Sequence, residues 1–258
     1  MIPKRIHYTW FSGEEMPPKI AACLESWKKH LTDYEFVLWD AAAAAGIGSV
    51  FVDEALSHKK WAYAADYVRL YAIHTYGGIY LDTDVMLYKS FDSFLDCDAF
   101  IGRENSVHFE DGITECYLSS HCFGAHAGNA FIKKCLDYYA DRHFVQSHDE
   151  SMPKTLRYNM VLLPYIQNEI AKTMGHDASA TKKNQMEKLP GLTIFPNRYF
   201  DPGNYDRDSY CRHLALGSWR EYEQYNPKPT LAYKFRWRWV RLLHALLGKD
   251  KYAIIRLH

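Results

Sequence analysis

The chain carries no excess of charge of either sign: 31 lysines and arginines stand against 31 aspartates and glutamates. A protein that neutralises nucleic-acid phosphates needs a basic field, so nucleic acid is set aside as a partner and any electrostatic work must be local. Long hydrophobic runs are missing too. With no stretch of about 20 apolar residues, a membrane-spanning helix is not expected. The opening MIPKRIHYTW lacks the apolar core of a secretory signal, which points to a cytoplasmic protein. Cysteines are few, and Cys23, Cys97, Cys116, Cys122, Cys135 and Cys211 form no C-x-x-C pair. That scatter argues against a zinc site or disulfide scaffold and for reduced thiols. There is no internal repeat, and no low-complexity tract beyond the alanines at 41–45.

What the chain does have is core-forming material, 48% hydrophobic with 20 tyrosines and 7 tryptophans, whose rings serve equally as packing volume and as flat faces for sugars or bases. Residues 6–11 read as a strand ending at Ser12-Gly13, and Pro17-Pro18 opens a helix to about residue 30. A second strand follows at 34–39. This β-α-β opening is the mark of an α/β sheet whose ligands gather at the carboxyl ends of its strands. The alanine run suits a short helix. Further strands are expected at 85–88, 99–102 and 191–195, and helices at 129–143 and 160–174. Residues 104–122 show no strong period and read as a long loop of the kind that forms a lid. Within and near it, His108, His121 and His126 lack ligand spacing and read as loop histidines. Glu104, Asp111, Asp149 and Glu150 are candidates for acceptor contacts.

The stretch YGGIYLDTDV, residues 76–85, places apolar strand residues directly before two carboxylates separated by one threonine. Such charges need a counter-charge. Side chains alternate along a strand, so Asp82 and Asp84 point the same way if the strand continues and can reach one ion. Two hard carboxylate oxygens favour Mg²⁺ or Mn²⁺, with water and phosphate completing the shell. The preceding WAYAADYVRLYAIHTY, residues 61–76, is the clearest helix, free of internal Gly and Pro and stopped at Gly77-Gly78. On it Asp66 and Arg69 share one face. Alanine and aromatic residues on most other sides imply that the helix is enclosed, so this pair faces a polar cavity or itself.

The block AADYVRLYAIHTYGGIYLDTDV, with IPKRIHYTWF before it and HLALGSW after it, resembles glycosyltransferase family 32. That family includes bacterial capsule and lipopolysaccharide sugar transferases and fungal outer-chain mannosyltransferases. The block is also similar to the catalytic domains of clostridial glucosylating toxins. The likeness spans about residues 1–220. It implies a GT-A fold, a Rossmann-like mixed α/β sheet flanked by helices, and retaining transfer of a hexose from a nucleotide-sugar donor with a divalent cation, Mn²⁺ or Mg²⁺. UDP-hexose is the favoured donor and GDP-mannose the alternative. By the same likeness Trp10 stacks on the base, Asp66 and Arg69 hold the donor sugar, Tyr80 lies beside the donor, and Asp82 and Asp84 handle ribose, metal and diphosphate. Ser218 and Trp219 close a loop over the phosphates. His213 matches the first of a histidine pair and would join the metal ligands, but Leu214 replaces the second.

Two other classes compete. A phosphohydrolase or phosphotransferase using the aspartates for Mg²⁺ would need a nucleophilic Asp with downstream Thr/Ser and Lys, for which DTDVMLYKS makes a poor case. A catalytically silent carbohydrate-binding relative would need no Asp-x-Asp at a strand end. The catalytic domain is expected over 1–230. Residues 231–258 interleave Trp, Leu and Arg in a basic amphipathic extension suited to a membrane surface. Surface polysaccharide synthesis on the inner face of the cytoplasmic membrane, with a glycan or lipid-linked acceptor, follows as the expected setting.

Overall fold

The computed structural model describes residues 1–110, 113–203 and 207–217. Strand β1 (Arg5–Thr9) leads into helix α1 (Pro18–His30), strand β2 (Glu35–Trp39), then helices α2 (Ala41–Ala45), α3 (Val50–Ser57) and α4 (Trp61–Tyr76). Next come β3 (Gly78–Leu81), β4 (Val85–Leu87), β5 (Ala99–Arg103), β6 (His108–Glu110), β7 (Ile113–Glu115) and β8 (Leu118–Ala125). Helices α5 (Ala130–Asp137), α6 (Lys154–Arg157) and α7 (Leu163–Thr173) precede β9 (Glu187–Leu189), β10 (Leu192–Phe195), α8 (Asn197–Phe200) and β11 (Cys211–His213). Met1–Leu216 forms one compact unit.

Its centre is a mixed sheet in the order β2-β1-β3-β8-β5-β10-β9. β1 is parallel to both β2 and β3, so the carboxyl ends of these strands open on one edge. β8 runs antiparallel between β3 and β5. Apolar clusters lie on both faces: one packs α4, α5 and α7, and the other α1 with the phenylalanines Phe91, Phe94, Phe100 and Phe200. A strand buried on both sides shows no alternation, and every residue of β8 is buried.

The expected strands and helices near the amino end are present within a residue or two, and Asp40 caps α2 by accepting from the Ala43 amide at 2.8 Å. Two expectations are corrected. Residues 104–122 are not a lid loop: the β6–β7 hairpin and the start of the central strand β8 lie there. LSSHCFGA hides its strand character because it is made of small and polar residues, not β-branched ones. The small residues are required, since a Cβ on Gly124 would stand 2.7 Å from Phe100 Cε1 and 2.9 Å from the Gly78 carbonyl. The helix expected at 129–143 is also shorter, ending at Asp137 in successive turns. Helix α3 had no counterpart in the sequence reading.

Candidate active site

Helix α4 stops at Gly77, whose φ of 65° lies in the left-handed region and whose N–H bonds the Ile73 carbonyl. Gly78 then passes so near β1 that a Cβ would meet the Arg5 carbonyl at 2.6 Å. These two residues let the chain turn straight from α4 into β3. The helix face that bears Asp66 and Arg69 is thereby held against the strand that ends in the aspartates.

β3 ends at Leu81, and the chain turns: the Val85 amide donates to the Asp82 carbonyl at 3.0 Å. The two carboxylates therefore converge through a turn, not through the pleat of a continuing strand. Four neighbours clamp the turn. The Asp82 amide donates to the His121 carbonyl on β8 at 2.9 Å, and the Trp27 indole on α1 donates to the Val85 carbonyl at 2.6 Å. The Leu214 amide donates to the Asp84 carbonyl at 2.9 Å, and the Leu216 amide to Asp84 Oδ2 at 2.9 Å.

Asp82 finds its counter-charge on α4. Arg69 Nη2 lies 3.2 Å from Asp82 Oδ1 and 3.2 Å from Asp66 Oδ1, bridging the two acids. Its Nη1 donates to the Ser120 carbonyl at 2.8 Å and its Nε to the Ala65 carbonyl at 3.2 Å. The guanidinium carbon rests 4.5 Å from the centre of the Tyr80 ring. Burial disfavours the charge on Arg69, but Asp82, Tyr80 and Asp66 together outweigh it and hold the group protonated. Burial pushes Asp66 up to about 6, against the pull of Arg69 and of the Leu163 amide, which donates to Asp66 Oδ2 at 3.1 Å. Tyr80 is wholly buried; its hydroxyl donates to Asp82 Oδ1 at 3.0 Å and lies 3.1 Å from Thr9 Oγ1. It bears on the site through Asp82.

Asp84 finds a different partner. His213 Nε2 stands 3.1 Å from Asp84 Oδ1, brought there by the antiparallel pairing of β11 with β4. Burial works against the charged form of both, but their mutual contact prevails, lowering the Asp84 carboxyl and raising the His213 imidazole. His121 stacks on His213 at 4.5 Å and is held neutral by burial and by that neighbour. Its ring bonds the Phe200 carbonyl at 3.0 Å. His121 is thus no loop histidine but a buried support for His213. Nothing local in the sequence marked it, because its role depends on β8 being central. One ligand atom from each of Asp82, Asp84 and His213 falls within 4.8 Å of the others. The two carboxylates suit Mn²⁺ or Mg²⁺, and the imidazole beside them departs from the all-oxygen shell that Mg²⁺ prefers.

Trp10 leaves β1 on the same sheet edge, half-buried, with its indole donating to the Glu14 carbonyl at 2.8 Å. Ser218, Trp219 and the basic segment 231–258 lie outside the described residues, as does Asp111. Glu104 pairs with His108 at 3.0 Å, and Asp149 accepts from Ser151 at 2.7 Å, so both have local partners.

Residues 17–101, a span holding Asp66, Arg69, Tyr80, Asp82 and Asp84, match the family described as "Glycosyltransferase sugar-binding region containing DXD motif". That span is thus similar to a glycosyltransferase sugar-binding region of the DXD type. Inositol phosphoceramide mannosyltransferase 3 of Schizosaccharomyces pombe is 35% identical over 106 residues, covering 40% of this chain and 30% of that protein. Among solved structures, PaToxG Glycosyltransferase aligns with a TM-score of 0.46 at 17% identity, over 67% of this chain and 69% of that one. Galactosyltransferase LgtC, solved with donor and acceptor sugar analogs, aligns at 0.38 and 15% identity, over 76% and 74%. No described helix is long and apolar enough to cross a membrane.

Proposed function

We propose that the chain is a metal-dependent retaining glycosyltransferase of GT-A type that moves a hexose from a nucleotide-sugar donor to a glycan or lipid-linked acceptor. The observation that carries this reading is the double convergence at one strand end. Arg69 bridges Asp66 and Asp82 on one side, and Asp82, Asp84 and His213 offer ligand atoms within 4.8 Å on the other. Those three residues would hold the cation. When bound, it neutralises the charge that develops on the departing diphosphate.

The remaining work falls to the protein. Asp66 and Arg69, rigidly placed, orient the hydroxyls of the donor sugar, and Trp10 offers an indole face to the base. Ser218 and Trp219 are assigned donation to phosphate oxygens, since a hydroxyl and an indole N–H are suitable donors. In a front-face transfer the anomeric carbon–phosphate oxygen bond breaks with its electron pair leaving on the diphosphate. The acceptor hydroxyl bonds the same face of that carbon and gives its proton to the departing oxygen. No second carboxylate is needed.

UDP-hexose remains the favoured donor. The name of the S. pombe relative makes a mannosyl donor and a phosphorylated lipid acceptor the leading alternative pair. The catalytic domain is assigned to 1–230 and the basic extension to 231–258, with surface polysaccharide or glycolipid synthesis on the inner membrane face as the setting. Calorimetry with a nucleoside diphosphate, with and without Mn²⁺, tests the core of this. Metal-dependent binding is expected, and equal binding without metal would remove the reading. A panel of nucleotide sugars screened for Mn²⁺-dependent hydrolysis then identifies the donor. The phosphotransferase reading is disfavoured because it needs a nucleophilic aspartate with a downstream Thr/Ser and Lys, for which DTDVMLYKS makes a poor case.

A further inference from the structure

β8 runs antiparallel to β3, and Leu81, the last residue of β3, pairs with Cys122. The ladder continues by one bond, from the Asp82 amide to the His121 carbonyl, so residues 117–120 run on past the carboxyl end of β3. They lie over the edge that holds the aspartate turn. The carboxyl end of β5 reaches the same edge, since Arg103 pairs with Leu118 and the Glu104 amide donates to the Tyr117 carbonyl at 2.8 Å. Aromatic rings gather there. His108 on β6 stacks on Tyr117 with ring centres 3.9 Å apart and planes within 5°, and Tyr165 on α7 meets Tyr117 edge-on at 5.8 Å. The His108 side chain is 39% exposed and Tyr165 is 41% exposed.

The strand and the helix that carry these rings also hold the candidate site. On β8 the Ser120 carbonyl accepts from Arg69, and on α7 the Leu163 amide holds Asp66. Tyr117 comes three residues before Ser120, at most about 11 Å of chain, and Tyr165 two residues after Leu163. The rings therefore keep a set distance from the Asp66 and Arg69 pair, one that a short saccharide bridges. A pyranose presents a patch of C–H groups that packs flat on an aromatic face, while the hydroxyls around its rim need hydrogen-bond acceptors. Glu104 supplies them among the rings. His108 Nε2 lies 3.0 Å from Glu104 Oε2, and a carboxylate accepts at about four positions, of which this contact takes one. An acyl chain on the same surface would strip water from that carboxylate and return nothing. The stack and the ion contact already fix His108, so little freedom is lost on binding.

We infer that His108, backed by Tyr117, together with Tyr165 and Glu104 forms a subsite for a pyranose unit of the acceptor, so that the acceptor is a saccharide where it meets the enzyme. Saccharide binding stands on this geometry alone; the acceptor role rests on the glycosyl-transfer reading above. Saturation-transfer NMR on the full chain, with methyl glycosides and disaccharides of glucose, galactose and mannose as probes, reads contact with the sugar C–H protons. At least one probe should receive saturation, strongest on one face of its ring. Tyr165→Leu with His108→Leu keeps apolar area but removes the flat faces, and should weaken that binding about tenfold, while Tyr165→Phe should hold it near the parent value. With nucleotide sugar and Mn²⁺, the acceptor KM should rise by the same factor in the leucine variant, with little change in kcat. Saturation of none of the probes, or leucine and phenylalanine variants that bind the sugar alike, would overturn the subsite. So would transfer to a lipid-linked acceptor at equal KM in both variants. Ring-dependent sugar binding in a chain that binds no nucleoside diphosphate with Mn²⁺ would leave the subsite standing and remove the transferase reading. Metal-dependent nucleotide binding without ring-dependent sugar binding would do the opposite.

Discussion

The two aspartates of the turn differ in what holds them, although only Thr83 separates them. Asp82 belongs to a dry frame with Asp66, Arg69 and Tyr80, and its partner Arg69 is only 5% exposed and permanently charged. Asp84 pairs with His213, whose side chain is 28% exposed and whose charge can be withdrawn, so the contrast between a dry side and a wet one lies in the partners, since Asp82 itself is 25% exposed and Asp84 14%. The dry side is built to keep a shape. The wet side is built to exchange what it holds. On the proposed reading, a site that grips a sugar and releases a diphosphate needs both characters, and a single turn would supply them.

The largest expected separation of the two sides comes from Asp84→Ala. It should abolish Mn²⁺-supported nucleotide binding and donor hydrolysis, while unfolding shifts by only about 1–2 kcal/mol for the lost contacts to His213 and the Leu216 amide. Calorimetry and a urea titration on one preparation read both. Retained metal-supported turnover would place the cation elsewhere. Arg69→Ala should do the reverse on stability. It strands two carboxylates, one fully enclosed, and should cost about 3–5 kcal/mol. Arg69→Lys should recover part of that stability but little of the sugar contact, because an ammonium cannot span both acids and the Ser120 carbonyl at once.

The dry side was far more legible than the wet one. Helix α4, its Gly-Gly stop and the strand before the aspartates are contiguous in the chain, so composition and period at 61–85 carry the order of these elements. The i, i+3 spacing and the enclosure of the helix foretell the Asp66–Arg69 pair, but not the contact of Arg69 with Asp82, whose expected counter-charge was a metal ion. The wet side is assembled from β4, β8 and β11, separated by long stretches of chain, and pairing between distant strands leaves no local mark. His213 could be named only by resemblance, and His121 was misread because β8 was. Even the convergence of the acids was expected through strand alternation, while the structure achieves it with a turn that Trp27, His121 and Leu214 hold closed.

Acid sharpens the comparison through His7, while Asp66 titrates over the same window in the opposite sense, so a His7 variant is read against the parent. His7 on β1 is buried, and burial pushes it down to about 4. The Trp39 indole donates to its Nδ1 at 3.2 Å and its Nε2 faces the Gly77 carbonyl at 3.0 Å, an arrangement that fits only the neutral ring. The unfolded chain therefore takes up a proton below about pH 6.5 that the folded chain refuses until about pH 4. This contribution to stability is fully present above the upper value and is lost as pH falls to the lower, up to about 3 kcal/mol. His7→Gln keeps an acceptor for Trp39 and a donor for Gly77 but does not titrate. Its urea midpoint should fall less than that of the parent between neutral and acid pH, and parallel curves would show that His7 is not the frame's acid limit.

The smallest effect asks whether the frame itself tunes the exchangeable side. Among the described residues the Thr9 hydroxyl meets Tyr80, whose own hydroxyl donates to Asp82 Oδ1. Thr9→Val keeps the shape and removes that one contact, so stability should fall by about 0.5–1.5 kcal/mol. If Tyr80 merely fills space, metal-dependent nucleotide binding should be unaffected. If the hydroxyl is held so that it can direct Asp82, a tyrosine freed from Thr9 should weaken that binding a few-fold, and Tyr80→Phe should weaken it at least as much. A Tyr80→Phe variant with unaltered Mn²⁺-dependent binding would reduce the dry side to scaffolding and leave Asp84 and His213 to control the exchange alone.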